Sequence, residues 1–533
     1  MNDAVPLAAG DTALFTPLIF FLVLVGVCLL FSLMTGLDGD STADFYVADR
    51  SFPALRNSLA LVGDYIPATA LLGPIGTVAL SGYDGMAAAA AAGAAMAVLL
   101  VMAQPLRNTG RFALGSILAA RMDGRATRVA GMVTTLVVVV PLTVVQLSAA
   151  GSATAYVVGL KSAGAAQICM VMIGVLVVAF AAFGGMRGTS AIQIAKTVLV
   201  AVAIVVVAAA AAQALGWDVG ALMEQAAVRG GGGGTLHRPG LLFGRTPSGS
   251  LELFSLFFTV SLGSAVMPPL LMRIGASADG RSARRASGYA AFMITGFYVA
   301  TVLLGLAAAA LVGAGTITSD DPQGNSALFL LAETLTHGTG GSAAFTLVAC
   351  AVFLTAISAL AGLLLSGAAA LSHDLYAAVL RGGRASDREE LAVARWAILA
   401  IGLLGILLSV LLHGWSILFL ASFAGAVATA VILPALVYSL FWPGFSRHGL
   451  LWTIYGSLAC CFVLQFFGPT VSGRPYSLLR EVDFHWFPLQ NIALVAVPLG
   501  FLLGWAGSRL TPPSREQRAI DAAVETAMLT GAD

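Results

Sequence analysis

Two of the hydrophobic segments in this chain are interrupted by glycine and proline. The first interruption lies at residues 63–67 and reads Gly-Asp-Tyr-Ile-Pro, and the second lies at residues 261–269 and ends in Met-Pro-Pro. Inside a bilayer no water satisfies a backbone N–H or C=O that such a break sets free. A break is therefore tolerated only where it lies against protein or lines a wet cavity. Two breaks at matching positions of a repeated set of helices predict a binding site between them.

The composition identifies an integral membrane protein. Of 533 residues, 59% are hydrophobic and only 10% are charged, whereas a soluble domain has about 25% charged residues. The lipid bilayer is therefore an expected partner. A net charge of +1 argues against nucleic acid as a partner. The five cysteines lie in apolar runs without metal-ligand or redox spacing, which favours buried, unpaired thiols.

Segments of about 20 apolar residues mark membrane spans, and the sequence contains about thirteen candidates. They are centred on residues 14–35, 55–80, 84–104, 129–159, 163–183, 190–215, 251–275, 286–313, 342–371, 393–412, 416–441, 450–468 and 488–508. The first is predicted to be a spanning helix and not a signal peptide, because acids at positions 3 and 11 stand where a basic region would precede a signal. The predicted fold class is an all-α, multi-pass membrane protein.

The basic residues of the connections give the orientation. With the N-terminus outside, twenty Lys and Arg residues fall in inside connections and six in outside connections, and Lys196 within a span completes the twenty-seven. Such a bias places the basic connections in the cytoplasm. We therefore expect a protein of the cell membrane with an external N-terminus and a cytoplasmic C-terminus.

The ten spans after the first divide into two sets of five. Because five is odd, the two sets have opposite orientations, and each begins with one of the interrupted helices, as expected for an inverted repeat. The predicted regions are a first helix and its connection (1–54), the two five-helix repeats (55–215 and 251–441), a Gly-rich external loop (216–250), two C-terminal helices (442–509) and a cytoplasmic tail (510–533). An apolar stretch at residues 327–334 predicts a short external helix.

Charged side chains at membrane depth are costly unless they are paired or hydrated, so they are candidates for function. Asp64 lies beside the first break. It is expected either to attract a cation or carry a proton, or to bond unwound backbone N–H groups. Lys196 is expected to snorkel towards the interface; the alternatives are that it occupies a cation position or offsets the charge of a nearby carboxylate. Arg273, at the cytoplasmic end of its span, is expected to act in gating.

The segment 44–50, with the sequence DFYVADR, resembles the DFYVAGR signature of the sodium:solute symporter family. Further segments are similar to the acetate and monocarboxylate permease branch and occur in the family's order. They are 63–65 (GDY), 80–85 (LSGYDG), 105–111 (PLRNTGR), 184–186 (GGM), 193 and 196 (Gln and Lys), 271–273 (LMR) and 372–376 (SHDLY). The resemblance implies a LeuT-type core and a secondary transporter that couples cation entry to uptake of a small carboxylate.

The resemblance also implies a sodium site between the first broken helix and the eighth core helix. The family presents adjacent hydroxyl residues fifteen and sixteen positions before the aspartate of the SHDLY segment. Here these positions hold Ala359 and Ser358, with Thr355 one turn earlier as a carbonyl donor. One of the two hydroxyls is therefore absent.

The first broken helix departs from the branch at the same predicted site. The branch usually shows Asp-Tyr-Met-Ser-Ala, whereas this chain has Asp-Tyr-Ile-Pro-Ala, so that Pro67 replaces the serine and is followed by Ala68. Sodium ligands in transporters are mostly neutral oxygens. The coupling ion is thus predicted to be sodium or a proton, with no other cofactor.

For the anion, N–H groups at half-helix N-termini are the expected ligands, since the positive end of the helix dipole lies there. Candidates are Thr69 beside Ala68 at the first break, and Gly263, Ser264 and Ala265 at the second. Gln146, alone among apolar residues of its span, is expected either to donate to a carboxylate or to bond a neighbouring helix. Small apolar neighbours favour acetate, propionate or pyruvate over a sugar.

The leading hypothesis is therefore cation-coupled symport of a small monocarboxylate. Symport of another small solute, such as an amino acid, a urea-like molecule or a nucleobase, is the alternative within transporters. A non-transporting sensor or complex subunit on the same scaffold is a third possibility. The resemblance also points to a small accessory membrane protein as a partner. The histidines show no metal-ligand pair or catalytic set, so an enzyme is not expected.

Overall fold

Helices long enough to cross a bilayer make up most of the computed structural model. It describes residues 41–158, 163–335, 341–413, 418–513 and 515–531, with isolated positions between 19 and 30. In this part of the chain, ten helices are long and apolar enough to span, or eleven if one bent pair counts as one span. The all-helical membrane prediction is confirmed. Most of the predicted first span, 14–35, lies outside the described residues.

The first predicted repeat contains one interrupted helix and one sharply kinked helix. Its helices, with the short helix before them, are α1 (Thr42–Val47), α2 (Ala54–Tyr65), α3 (Ala68–Ser81), α4 (Tyr83–Asn108), α5 (Leu114–Ala119), α6 (Arg125–Val157) and α7 (Ala163–Ala214). The 52 residues of α7 form two helices joined at a kink, each long enough to cross a hydrocarbon core of about 30 Å. It bends at Gly185, whose φ of 48° is left-handed, and two of the predicted spans lie within it.

The middle of the chain begins with a helix where the sequence predicted a flexible Gly-rich loop. The helices here are α8 (Val219–Arg229), α9 (Pro247–Gly263), α10 (Pro268–Gly275), α11 (Gly280–Leu311), α12 (Ala314–Asp320), α13 (Ala327–Thr334), α14 (Gly341–Ala369, continued as a π-helix over Ala370–Leu380) and α15 (Asp387–Leu411). Helix α8 starts at Asp218, whose carboxylate accepts from two first-turn N–H groups. The short helix predicted at 327–334 is present as α13.

The remaining helices include two spans that each contain a π-helical segment. They are α16 (Leu418–Val427), a π-helix (Ala428–Ile432), α17 (Leu433–Phe441), α18 (Arg447–Leu451), a π-helix (Trp452–Gly456), α19 (Ser457–Phe466), α20 (Ala493–Leu510) and α21 (Arg515–Thr530). Helix α14 is the central element, because 94% of its most apolar stretch is buried, whereas the corresponding stretches of the other candidate spans are 39% to 67% buried. Helices α6 and α7 pack on α14 and enclose it with the first interrupted helix.

Candidate binding and coupling site

The first interrupted helix bends by 61° between α2 and α3. Ile66 has left the helical region and Pro67 is extended, as expected, because a proline ring disfavours a helical residue before it and supplies no N–H. Pro67 is the N-cap of α3. The N–H groups of Ala68 and Thr69 therefore lie in the first turn, where a helix offers no internal acceptor.

A buried ion pair joins the two interrupted helices. The Asp64 carboxylate at the end of α2 accepts from Nε of Arg273 in α10, and the two side chains are only 3% and 2% exposed. Asn57 of α2 also donates to the Arg273 carbonyl oxygen at 2.9 Å. Sequence reasoning placed Asp64 against cations or backbone N–H groups and Arg273 at a cytoplasmic end. The structure pairs the two side chains with each other, and the roles of Asp64 in cation or proton binding and of Arg273 in gating stay predictions.

Helix α7 supplies the remaining partners of this pair. Gln193 donates to the other carboxylate oxygen of Asp64, and Ser190 accepts from Arg273. The Sδ atom of Met186 lies 2.9 Å from Nη1 of Arg273. A buried charge is tolerated only when its hydrogen-bonding groups are satisfied in this way.

Lys196 belongs to the same cluster and does not snorkel. Its side chain is 1% exposed, and its ammonium group donates to the carbonyl oxygen of Gly63, one residue before Asp64. The predicted snorkelling is therefore wrong, because a carbonyl oxygen near the break satisfies the ammonium group inside the protein. Its place beside Asp64 fits the alternative that Lys196 offsets a nearby carboxylate, and occupation of a cation position stays a prediction.

Close helix approach at two glycines makes the cluster possible. A Cβ atom on Gly362 of α14 would lie 2.6 Å from a carboxylate oxygen of Asp64, nearer than non-bonded atoms approach. A Cβ atom on Gly63 would similarly overlap Gln193. Glycine at both positions lets α2, α7 and α14 meet with Asp64 between them.

The predicted sodium-site residues of α14 lie beside this cluster, and their oxygens already have partners. Ser358 is 1% exposed and its hydroxyl donates to the Thr355 carbonyl oxygen at 3.2 Å. The Ser358 carbonyl oxygen accepts from Gln193 at 3.2 Å. Thr355 in turn donates to Ala351 at 2.6 Å, and Ala359 carries no polar side-chain atom. The structure thus brings Asp64, Ser358 and Lys196 into one region.

A cavity of about 460 Å³ lies on the other side of the first break. Its wall includes both residues that begin α3, and it extends to Asp320 and Gln323, which are exposed. The lining residues are Ala68, Thr69, Leu72, Ser148, Ala149, Ser152, Ala153, Tyr156, Met170, Asp320, Asp321, Gln323, Asn325, Ser326, Phe329, Leu412 and His413. The mouth lies on the predicted external side and carries two aspartates, of which Asp321 accepts from the Gln323 and Asn325 N–H groups.

Gln146 of α6 adds an amide to this region. Its Nε2 donates to the Thr69 hydroxyl at 3.1 Å, and the side chain is 4% exposed. Within the described residues, its Oε1 is buried without a hydrogen-bond partner. Rotation of the amide would let Oε1 accept from Thr69 and would offer Nε2 to a bound carboxylate. Both predicted roles, donation to an anion and an inter-helix bond, are therefore compatible with this geometry.

The second break does not contribute to the wall of this cavity. A 3₁₀ turn over Ser264–Val266 separates α9 from α10. Gly263 packs against Thr429, and Ala265 is fully buried. Ser264 instead interacts with the Tyr65 hydroxyl at the end of α2. The structure therefore brings the two breaks together through this contact and through Asp64 and Arg273.

Polar contacts close the opposite, predicted cytoplasmic side. Arg187 pairs with Asp44 at 2.5 Å and with Asp49 at 3.2 Å. Burial raises the pKa of Asp44, and the positive charge of Arg187 opposes that rise. Deeper in, Asp374 accepts from the Gly115 N–H at 3.0 Å. None of these residues is in the wall of the cavity of about 460 Å³.

Sequence reasoning missed Ser190 and Gln193 as site residues. A signal was available, because polar residues at 189, 190, 193, 196 and 197 recur at helical spacing in an otherwise apolar span. One polar face on a membrane helix indicates a buried polar partner.

Comparison with known proteins gives the family and the fold. The profile of the sodium:solute symporter family matches residues 45–456. The monocarboxylic acid transporter of Corynebacterium glutamicum is 32% identical, over 99% of this chain and 97% of its own. The uncharacterized symporter YwcA of Bacillus subtilis is 33% identical, over 93% of this chain and 94% of its own.

Among solved structures, the substrate-bound outward-open state of a Na⁺-coupled sialic acid symporter matches with a TM-score of 0.71. The identity is 13%, and the match covers 94% of this chain and 98% of that one. It confirms the predicted LeuT-type fold. The chain is a cation-coupled solute transporter and not an enzyme. With a family match over most of its length, the chain belongs to the sodium:solute symporter family.

Proposed function

We propose that the transported solute is a short monocarboxylate, such as acetate, propionate or pyruvate, bound at the first break. The observation that carries this proposal is the start of α3 in the wall of the cavity, with Ala68 and Thr69 beside Gln146. First-turn N–H groups and the positive end of the helix dipole stabilise a carboxylate there.

The surroundings of the break favour a small solute. Alanine and serine dominate the α6 side of the cavity, at Ser148, Ala149, Ser152 and Ala153, so that small side chains face the start of α3. The name of the monocarboxylic acid transporter that is 32% identical over nearly the whole chain supports the same solute class.

The coupling ion is proposed to act at the cluster around Asp64. At the carbonyl oxygens of Gly63 and Ser358, sodium would compete with Lys196 and Gln193, which already donate to them. These contacts favour a proton as the coupling ion, with the Lys196 ammonium group in a cation position. The family and the Na⁺-coupled symporter of the same fold favour sodium. One experiment, in which the two gradients are imposed separately, distinguishes the two ions.

That experiment measures uptake of labelled pyruvate by the purified full chain in proteoliposomes. Inward sodium and proton gradients are imposed separately, together and not at all, with the membrane potential clamped. Pyruvate is preferred to acetate because its acid is stronger, so less of it crosses the lipid undissociated. Protein-free liposomes measure the remaining leak.

Accumulation above equilibrium under one gradient identifies the coupling ion, and the absence of accumulation under both refutes coupled monocarboxylate uptake. Competition by unlabelled amino acids, urea or nucleobases, without competition by acetate, would assign a different solute. Binding without any transport would favour a sensor or subunit. Co-purification of a small membrane protein would identify the accessory partner.

The proposed topology has thirteen spans in the cell membrane, with an external N-terminus and a cytoplasmic C-terminus. The two five-helix repeats are proposed to occupy residues 55–215 and 251–441. Labelling of single cysteines introduced at Arg238 and at Arg384 with an impermeant maleimide tests this orientation, since only the first is expected to react in intact cells.

A further inference from the structure

A second cavity, of about 820 Å³, lies away from both breaks, between the first turns of α4 and α9. It is larger than the cavity at the first break, yet it touches none of the predicted site residues. The segment 238–246 closes one side, and Ala87, Leu253, Phe254 and Phe257 form the other. One end of the cavity is thus polar and the other apolar.

The polar end carries two arginines that form no ion pair within the described residues. Arg238 and Arg245 both line the cavity and are exposed, and neither side chain has an acidic partner in the described part of the chain. Arg229 of the same connection differs, because its guanidinium donates to the Ala310 carbonyl oxygen at 2.8 Å. Positive residues are depleted from connections on the external side. The presence of two arginines at one cavity on that side therefore requires an explanation.

Asp84 is the acid at this cavity, and it is not free to neutralise the arginines. It is 1% exposed, and its carboxylate accepts from the Gly240 N–H at 3.0 Å and the Leu242 N–H at 2.8 Å. These bonds hold the segment that carries the arginines over the end of α4. With one acid and two arginines, the cavity has a net positive charge.

The apolar end lies along a helix that is a candidate membrane span. Helix α9 starts a candidate span at Pro247, and Phe257 is ten residues, or about 15 Å, further along it. Phe254 is 52% exposed on the outer surface of the span. The cavity therefore joins the level of the lipid headgroups to the level of the acyl chains along one helix.

We propose that this cavity binds one anionic phospholipid of the adjacent leaflet. Its phosphate lies between Arg238 and Arg245, and its acyl chain lies along Phe254 and Phe257. Guanidinium groups bind phosphate oxygens through paired, charge-assisted hydrogen bonds. The volume is in the range of sites that enclose most of a small ligand, which suits a headgroup and the upper part of a chain.

The test is native mass spectrometry of the delipidated full chain in detergent, with dioleoylphosphatidylglycerol or dioleoylphosphatidylcholine added. We expect one phosphatidylglycerol to bind in preference to phosphatidylcholine. The double variant Arg238→Gln/Arg245→Gln should bind it on the order of tenfold more weakly, because two charge-assisted contacts are lost. The matched control Arg474→Gln/Arg480→Gln removes two other exposed arginines and should bind as the unmodified chain does.

Three results would overturn the proposal. They are equal binding of the two lipids, unchanged phosphatidylglycerol binding by the Arg238/Arg245 variant, and displacement of the lipid by saturating acetate, which would make the cavity a vestibule for substrate. Phe254→Gln provides an independent readout, since it should weaken binding without changing the charge. All the substituted side chains are exposed, so melting temperatures within error of the unmodified chain should confirm that every variant folds.

Discussion

Replacing Asp64 by asparagine removes the negative charge of a buried ion pair while keeping the size of the side chain. Arg273 is 2% exposed, so it cannot regain water when its partner is lost. Breaking a buried pair by removing one member costs about 3–5 kcal/mol, because the other charge stays buried and uncompensated. The second cation nearby, Lys196, places the cost at the upper end of that range.

The free energy of unfolding can be measured by titration with SDS in mixed micelles. We expect Asp64→Asn to lower it by about 3–5 kcal/mol, and Asp64→Asn/Arg273→Met to lower it by less than the single change does. The double variant no longer buries an unpaired guanidinium, so the two effects should be strongly non-additive. Asp320→Asn, an exposed acid at the cavity mouth, is the control and should change the free energy by less than about 0.5 kcal/mol.

The same variant tests the coupling role. Asp64→Asn should reach the membrane but lose gradient-driven uptake in proteoliposomes. If its free energy of unfolding matched that of Asp320→Asn, the buried pair would not stabilise the fold. If gradient-driven uptake persisted, Asp64 would have no place in coupling.

Further predictions concern the other parts of the site. Lys196→Met keeps an unbranched side chain one atom shorter but removes its charge, and it should abolish the response of uptake to a gradient; a retained response would exclude Lys196 from coupling. Gln146→Leu should raise the KM for pyruvate about tenfold through loss of a hydrogen bond to a charged group, and an unchanged KM would mean that the amide bonds only Thr69. Gly362→Ala should lower the free energy of unfolding by about 1–3 kcal/mol through overlap with Asp64, measured against Gly296→Ala, whose Cβ would meet nothing within 4 Å.

The sequence could predict the positions of the breaks because local chemistry determines them. Pro67 cannot donate to a helix and disfavours a helical Ile66, so α2 had to end where it does. The short helix at 327–334 followed equally from its apolar run. The helix α8 was missed because the glycines that follow it dominated the composition of its connection.

The partners of the charged residues could not be predicted, because they come from helices distant in the chain. Asp64 and Arg273 are 209 residues apart, and no local pattern shows that one would neutralise the other. Lys196 was expected at the interface because its nearest carbonyl acceptor, at Gly63, becomes available only when α2 and α7 pack together. The polar face of α7 predicts a buried polar network, but it does not show which residues of other helices belong to that network.

The cluster around Asp64 and the cavity at the start of α3 lie on either side of the first break, so an anion in the cavity would act on the proposed coupling site across a few residues of backbone. Asp64 is held in the cluster, whereas Thr69, five residues later, lines the cavity, and the break at Ile66 and Pro67 lies between them. An anion at the start of α3 adds negative charge near the end of α2, and it therefore strengthens the hold of that region on a cation. By linkage, a cation bound near Asp64 must raise the affinity for the anion by the same factor. The pyruvate affinity of the Asp64→Asn variant should accordingly no longer depend on the coupling ion, whichever ion the gradients identify.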